Sequence, residues 1–135
     1  ALSYTEIGTR LKLAGHNKAG VEMYENALKA DPSYAPAHYN KGMIEFEEGR
    51  YEDALKHYRD ASKLNPQYAE PLCNIGVIHK LRDENRLAVE AYEQCLKLAP
   101  NFATARSNMA IALTHLGAEE KSADNKDEAI RLWER

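Results

Sequence analysis

Gly8, Gly42 and Gly76 recur at intervals of 34 residues, and Pro32, Pro66 and Pro100 keep the same interval. A fixed period of that length marks a helix–turn–helix array. Each unit of such an array cannot bury its apolar face alone and does so by stacking on its neighbours. The product is a curved surface rather than an enclosed pocket. The period therefore favours binding over chemistry.

Counting the repeats as residues 1–34, 35–68, 69–102 and 103–135 puts like residues at like positions. Position 8 holds Gly8, Gly42, Gly76 and Ala110, and position 20 holds Gly20, Ala54 and Ala88. Position 24 holds Tyr24, Tyr58 and Tyr92, and position 27 holds Ala27, Ala61 and Cys95. Small residues at 8 and 20 let two helices approach closely, and the aromatic at 24 fills the gap to the next unit. Proline at position 32 ends each unit, because it cannot continue a helix. This spacing predicts helix pairs at 2–14 and 18–30, 36–48 and 52–64, and 70–82 and 86–98, with a last pair starting near 103. Pro36 and Pro71 fall in first turns, where a missing N–H does no harm. The pairs Glu25–Lys29, Glu52–Lys56 and Glu93–Lys97 suit a solvated outer face.

This combination of small residues at 8, 20 and 27, tyrosine at 24 and proline at 32 resembles the tetratricopeptide repeat over the whole chain. The resemblance implies an all-α fold, a right-handed superhelix (α-solenoid) of antiparallel helix pairs, as a single domain over residues 1–135.

The fourth unit departs from the period. Positions 20 and 24 would be Ser122 and Lys126, and the expected residue types return seven positions later as Ala129 and Trp133. Seven residues make nearly two helical turns, so a first helix can lengthen while keeping its packing face. One long helix is predicted from 103 to about 124, with a second helix cut short at the chain's end. Gly117, Ala129 and Trp133 also align with Gly8, Gly20 and Tyr24 at a constant offset of 109, so residues 1–34 can be phased in two ways. The chain is expected to be a piece of a longer solenoid, and the apolar Leu132 and Trp133 to promote self-association.

In such arrays the first helix of each pair lines the concave face. Position 6 of that helix holds Asn40, Asn74 and Asn108. An amide side chain offers an acceptor and two donors, which matches the C=O and N–H of an extended peptide. Packed helices stand about 8–10 Å apart and an extended chain rises about 3.3 Å per residue, so each Asn would meet roughly every third ligand residue. Such contacts read backbone more than side chains, so the expected ligand is an extended protein segment of loose sequence. The flanking position 9 residues Met43, Val77 and Ile111 are read as packing between helices. Tyr39, Cys73 and Ser107 stand at position 5.

The stretches LKLAGHNKAGVEMYENALKADPSYAPAHYNKG, YAEPLCNIGVIHK and CLKLAPNFATARSNMAIALTHLG look very like repeats of SPINDLY-type glycosyltransferases, relatives of the protein O-GlcNAc transferases. The elongated unit after NMAIALT fits that group too. The resemblance implies that the repeats precede a catalytic domain outside these residues, one that transfers O-fucose or O-GlcNAc to Ser and Thr of nuclear and cytosolic proteins. It carries the family's asparagine ladder onto Asn40, Asn74 and Asn108. In the first repeat Glu6 stands at that place, and Glu6 and Lys41 depart from a typical unit.

Other chemistries find little support. With 44% apolar residues, 29% charged residues and a net charge of -3, the chain lacks the basic clusters that phosphate recognition needs, so no nucleic-acid partner is expected. Apolar runs are too short for a membrane span. Five histidines lie without Cys or carboxylates at ligand spacing, so no metal is expected. Nucleophile elbows, phosphate loops and dinucleotide fingerprints are absent, so neither a cofactor nor a catalytic residue is assigned. Cys73 and Cys95 are read as unpaired: Cys95 a buried filler, Cys73 an accessible groove residue, in a reducing cytoplasmic or nuclear setting. A chaperone adaptor that clamps an acidic tail is disfavoured, because positions 2, 5, 6 and 9 hold no Lys or Arg. The expected role is peptide docking for an O-glycosyltransferase; a stand-alone scaffold is the alternative.

Overall fold

A computed structural model describes residues 3–133. Seven helices occupy them: α1 Tyr4–Leu13, α2 Asn17–Ala30, α3 Ala35–Glu47, α4 Tyr51–Leu64, α5 Ala69–Leu81, α6 Asn85–Leu98 and α7 Ala103–Trp133. The first six begin and end within two residues of the bounds the period predicts. Each odd-numbered helix packs along the even-numbered one that follows it in the first three pairs, and each even-numbered helix packs on the next odd one. Backbones of α1 and α3 approach one another, as do those of α5 and α7, while the even-numbered helices make no comparable approach. The odd-numbered helices thus form the inner layer of a curved stack, with the even-numbered helices outside.

Local chemistry explains the pairing. Tyr24, Tyr58 and Tyr92 are almost completely buried, and each ring lies on the position 8 glycine of its own repeat. A Cβ at Gly42 would fall 2.8 Å from Tyr58 Cε1, and one at Gly76 would fall 2.6 Å from Tyr92 Cε1. No heavier residue fits there without moving the ring. At the fourth repeat Ala110 is tolerated because it is exposed, with no tyrosine stacked on it.

The tight turns within pairs take positive φ at Gly15 (87°) and Gly49 (79°), and Asp83 adopts 57° in the third. Aspartate tolerates that region better than most residues. The turns are closed by bonds that reach five residues back: His16 N–H to Leu11 O at 2.8 Å, Arg50 to Glu45 at 2.8 Å and Glu84 to His79 at 2.9 Å.

Two expectations need correction. The helix expected to stop near 124 runs unbroken through Trp133, so the described residues contain no turn and no second helix in the fourth unit. Residues 118–132 hold neither glycine nor proline, and good helix formers predominate over 118–121 and 128–132. Glu119 accepts from Asn85 Nδ2 at 2.7 Å and Glu120 from Arg86 Nη2 at 3.2 Å, which pins the middle of α7 to the start of α6. Past Glu120 the helix is exposed, with Leu132 at 61%. The side chains of Ala129 and Trp133 lie outside what the structure describes.

The second correction concerns the cysteines, which are joined as a Cys73–Cys95 disulfide. Their Cα atoms stand 5.3 Å apart, inside the range such a bond requires. Both are buried, so Cys73 faces its partner helix and not the groove. A separation of 22 residues is distant along the sequence, but the hairpin of α5 and α6 brings positions 5 and 27 opposite one another. This pairing removes the argument for a reducing compartment drawn from unpaired thiols.

Candidate peptide-binding groove

The inner layer carries Asn40 on α3, Asn74 on α5 and Asn108 on α7, each half-buried at the same register position. They are not equivalent. Asn74 donates from Nδ2 to the Tyr39 hydroxyl of the preceding repeat at 3.2 Å. Asn108 accepts from Lys80 Nζ at 3.4 Å. The Asn40 side chain has no hydrogen bond among the described residues. An amide can make about four hydrogen bonds, so all three keep unused donors or acceptors.

Between α3 and α5 the inner layer opens into a cavity of about 220 Å³ lined by Met43, Phe46, Glu47, Tyr58, Asn74 and Val77. Here the position 9 residues do two things. Met43 and Val77 pack against the core clusters, as expected, and they also wall this cavity. Glu47 at its edge is paired with Lys12 at 3.3 Å. The period could have pointed to this region through position 12, which reads Lys12, Phe46, Lys80 and Thr114 and so changes chemistry at every step. Its openness depends on the spacing of α3 from α5, which no single position encodes.

Elsewhere, Glu45 is buried between α3 and α4 and meets His57 Nδ1 at 2.5 Å, with the His38 ring stacked on His57 at 6.0 Å. No group of three or more His, Cys, Asp or Glu side chains is placed to hold a metal ion among the described residues. No described helix is long and apolar enough to cross a membrane.

The tyrosines beneath the groove are strongly desolvated. Burial pushes Tyr68 and Tyr92 up to about 12 and also raises Tyr58, Tyr39 and Tyr24. The hydrogen bond from Asn74 offsets part of this for Tyr39. Unfolded tyrosine ionises near pH 10, so the folded chain binds these protons more tightly than the unfolded one. Their contribution to stability is fully present below about pH 10 and is lost as the pH rises toward about 12. Melting followed by circular dichroism should show a steep fall over that window, flatter in Tyr92→Phe. A melting temperature that is constant through it would contradict this.

An all-α stack with an open, amide-lined inner face defines a class: helical-repeat arrays. Sequence comparison makes this specific. Tetratricopeptide-repeat patterns match residues 23–56 and 69–102, and a TPR-repeat pattern matches 42–82. The chain is a tetratricopeptide-repeat array, and it resembles the N-terminal repeats of SPINDLY-type proteins. It is 50% identical over 135 residues to the probable UDP-N-acetylglucosamine–peptide N-acetylglucosaminyltransferase SPINDLY of Oryza sativa subsp. japonica, and equally to that of Hordeum vulgare. It spans 15% and 14% of those relatives' lengths.

Solved structures share the fold. MamA superposes with a TM-score of 0.78 at 22% identity, covering 95% of this chain and 75% of that one. A Thermobaculum terrenum O-GlcNAc transferase mutant gives 0.74 at 22% identity, over 82% of this chain and 21% of its own. The first TPR of Spaghetti, bound to HSP90 peptide SRMEEVD, gives 0.79 at 21% identity, over 84% and 93%.

Proposed function

We propose that the inner face of this interaction module binds extended peptide segments through Asn40, Asn74 and Asn108, and that it docks substrates or adaptors for a SPINDLY-like protein O-glycosyltransferase. Transfer of O-fucose or O-GlcNAc would be carried out by residues outside this chain. The observation that carries the reading is the register: three amides at one position of three inner helices, each with hydrogen-bonding capacity left over. Identity to the two SPINDLY proteins over the whole chain supports the enzyme context. The Spaghetti complex supports peptide binding as a use of this fold. The resemblance implies work in the cytoplasm or nucleus, where thiols are kept reduced and Cys73 and Cys95 would stand as a buried dithiol.

The reading is tested by titrating the isotopically labelled chain with an unstructured Ser/Thr/Gly peptide of about eight residues, enough to cross three inner helices. Side-chain amide resonances of Asn40, Asn74 and Asn108 should shift together. Shifts confined to α4 and α6 would place the contact on the outer face and refute the groove.

A further inference from the structure

The two steps between α3, α5 and α7 are chemically unlike. At the first step lies the apolar cavity of about 220 Å³, floored by the buried Tyr58 and walled by Met43, Phe46 and Val77. An apolar cavity of about 150 Å³ holds a benzene ring, so this one has room for a large apolar side chain. Its single carboxylate, Glu47, is already paired with Lys12.

At the second step, position 12 is Lys80 instead of Phe46. Its Nζ contacts only the neutral Asn108 Oδ1, at 3.4 Å, and among the described residues no carboxylate lies within 4.0 Å of it. Among the described residues Asn108 donates no hydrogen bond, and the buried Tyr92 hydroxyl beside it has no hydrogen-bond partner. An unneutralised ammonium, an amide and an orphaned hydroxyl therefore meet at one place. Such a set of donors recognises a carboxylate.

We propose that the groove selects an extended peptide carrying one large apolar residue, seated between α3 and α5, and one Asp or Glu about three residues away, held by Lys80. The separation follows from a helix step of about 8–10 Å against a rise of about 3.3 Å per residue. This assignment rests on the groove reading above and adds side-chain selection to it.

Fluorescence anisotropy with labelled Gly/Ser peptides of about eight residues tests it, the length again following from helix spacing. The set comprises a plain peptide, one with a single Leu, and ones with Leu plus Glu or Leu plus Lys at three residues' distance in either direction. Leu should tighten binding at least tenfold over the plain peptide, the low end for burying such a side chain. One of the two Glu peptides should gain roughly fivefold more, and that gain should shrink with added salt. Lys80→Gln should abolish the Glu gain and spare the Leu gain, while Val77→Phe, which fills the cavity, should abolish the Leu gain.

If all peptides bind alike, and replacing the three asparagines by Ala weakens them equally, the pocket assignment falls and the groove reading stands. If none binds, both fall. If Val77→Phe fails to fold, Lys80→Gln decides: an undiminished Glu preference in it overturns the proposal.

Discussion

Tyr58→Ala is expected to lower the unfolding free energy by about 3–5 kcal/mol, the usual cost of deleting a fully buried aromatic ring. The ring is 1% exposed, lies against Gly42 and packs with Ala54, Leu55, Ile75, Ile78 and Ala91 at the junction of the second and third repeats. Gly42 has no side chain to fill the space, so the site collapses poorly and the loss should sit high in that range. In a stack where each unit contacts only its neighbours, this damage uncouples the two halves of the array. Total stabilities run to about 5–15 kcal/mol, so the variant should melt at least about 10 °C lower and less cooperatively. Tyr58→Phe keeps the ring and should cost about 1 kcal/mol or less. A Tyr58→Ala melting curve that overlays the wild type would show that the tyrosine register is not what holds the repeats together.

Much of the fold was legible because its contacts repeat. Gly8, Gly42 and Gly76 announce close helix approach, and the tyrosines at position 24 announce what fills it. Both signals are local residue types in a fixed register, so helix bounds came out within two residues. Where register broke, legibility broke with it. The residues after Gly117 suggested a seven-residue insertion followed by a turn, but nothing between Ala118 and Leu132 supplies the glycine or proline that would stop a helix, and α7 continues. Repeat position alone places Cys73 on the groove, whereas its actual neighbour is set by how α5 and α6 fold back on one another.

The site was legible in the same uneven way. Periodicity located the three asparagines on one face. It did not reveal that Asn74 spends a donor on Tyr39 or that Lys80 reaches Asn108, since both contacts join neighbouring repeats. The cavity between α3 and α5 was likewise hidden, because it arises where two inner helices stand apart.

The asparagines also decide the central claim. Each should contribute up to about 1 kcal/mol to peptide affinity, roughly a hundredfold together if the three sites act independently. Asn40 has no hydrogen-bond partner among the described residues, so its removal should weaken binding at almost no cost in stability. Asn74→Ala leaves the Tyr39 hydroxyl without its partner, so it should cost stability as well. The decisive measurement is the affinity of an extended Ser/Thr/Gly peptide for the wild type and for the triple variant Asn40→Ala, Asn74→Ala, Asn108→Ala, with helicity checked by circular dichroism. A loss of about a hundredfold at unchanged helicity is expected. Equal affinity in a folded triple variant would mean that the amides serve only to join neighbouring repeats, and that peptide recognition lies elsewhere.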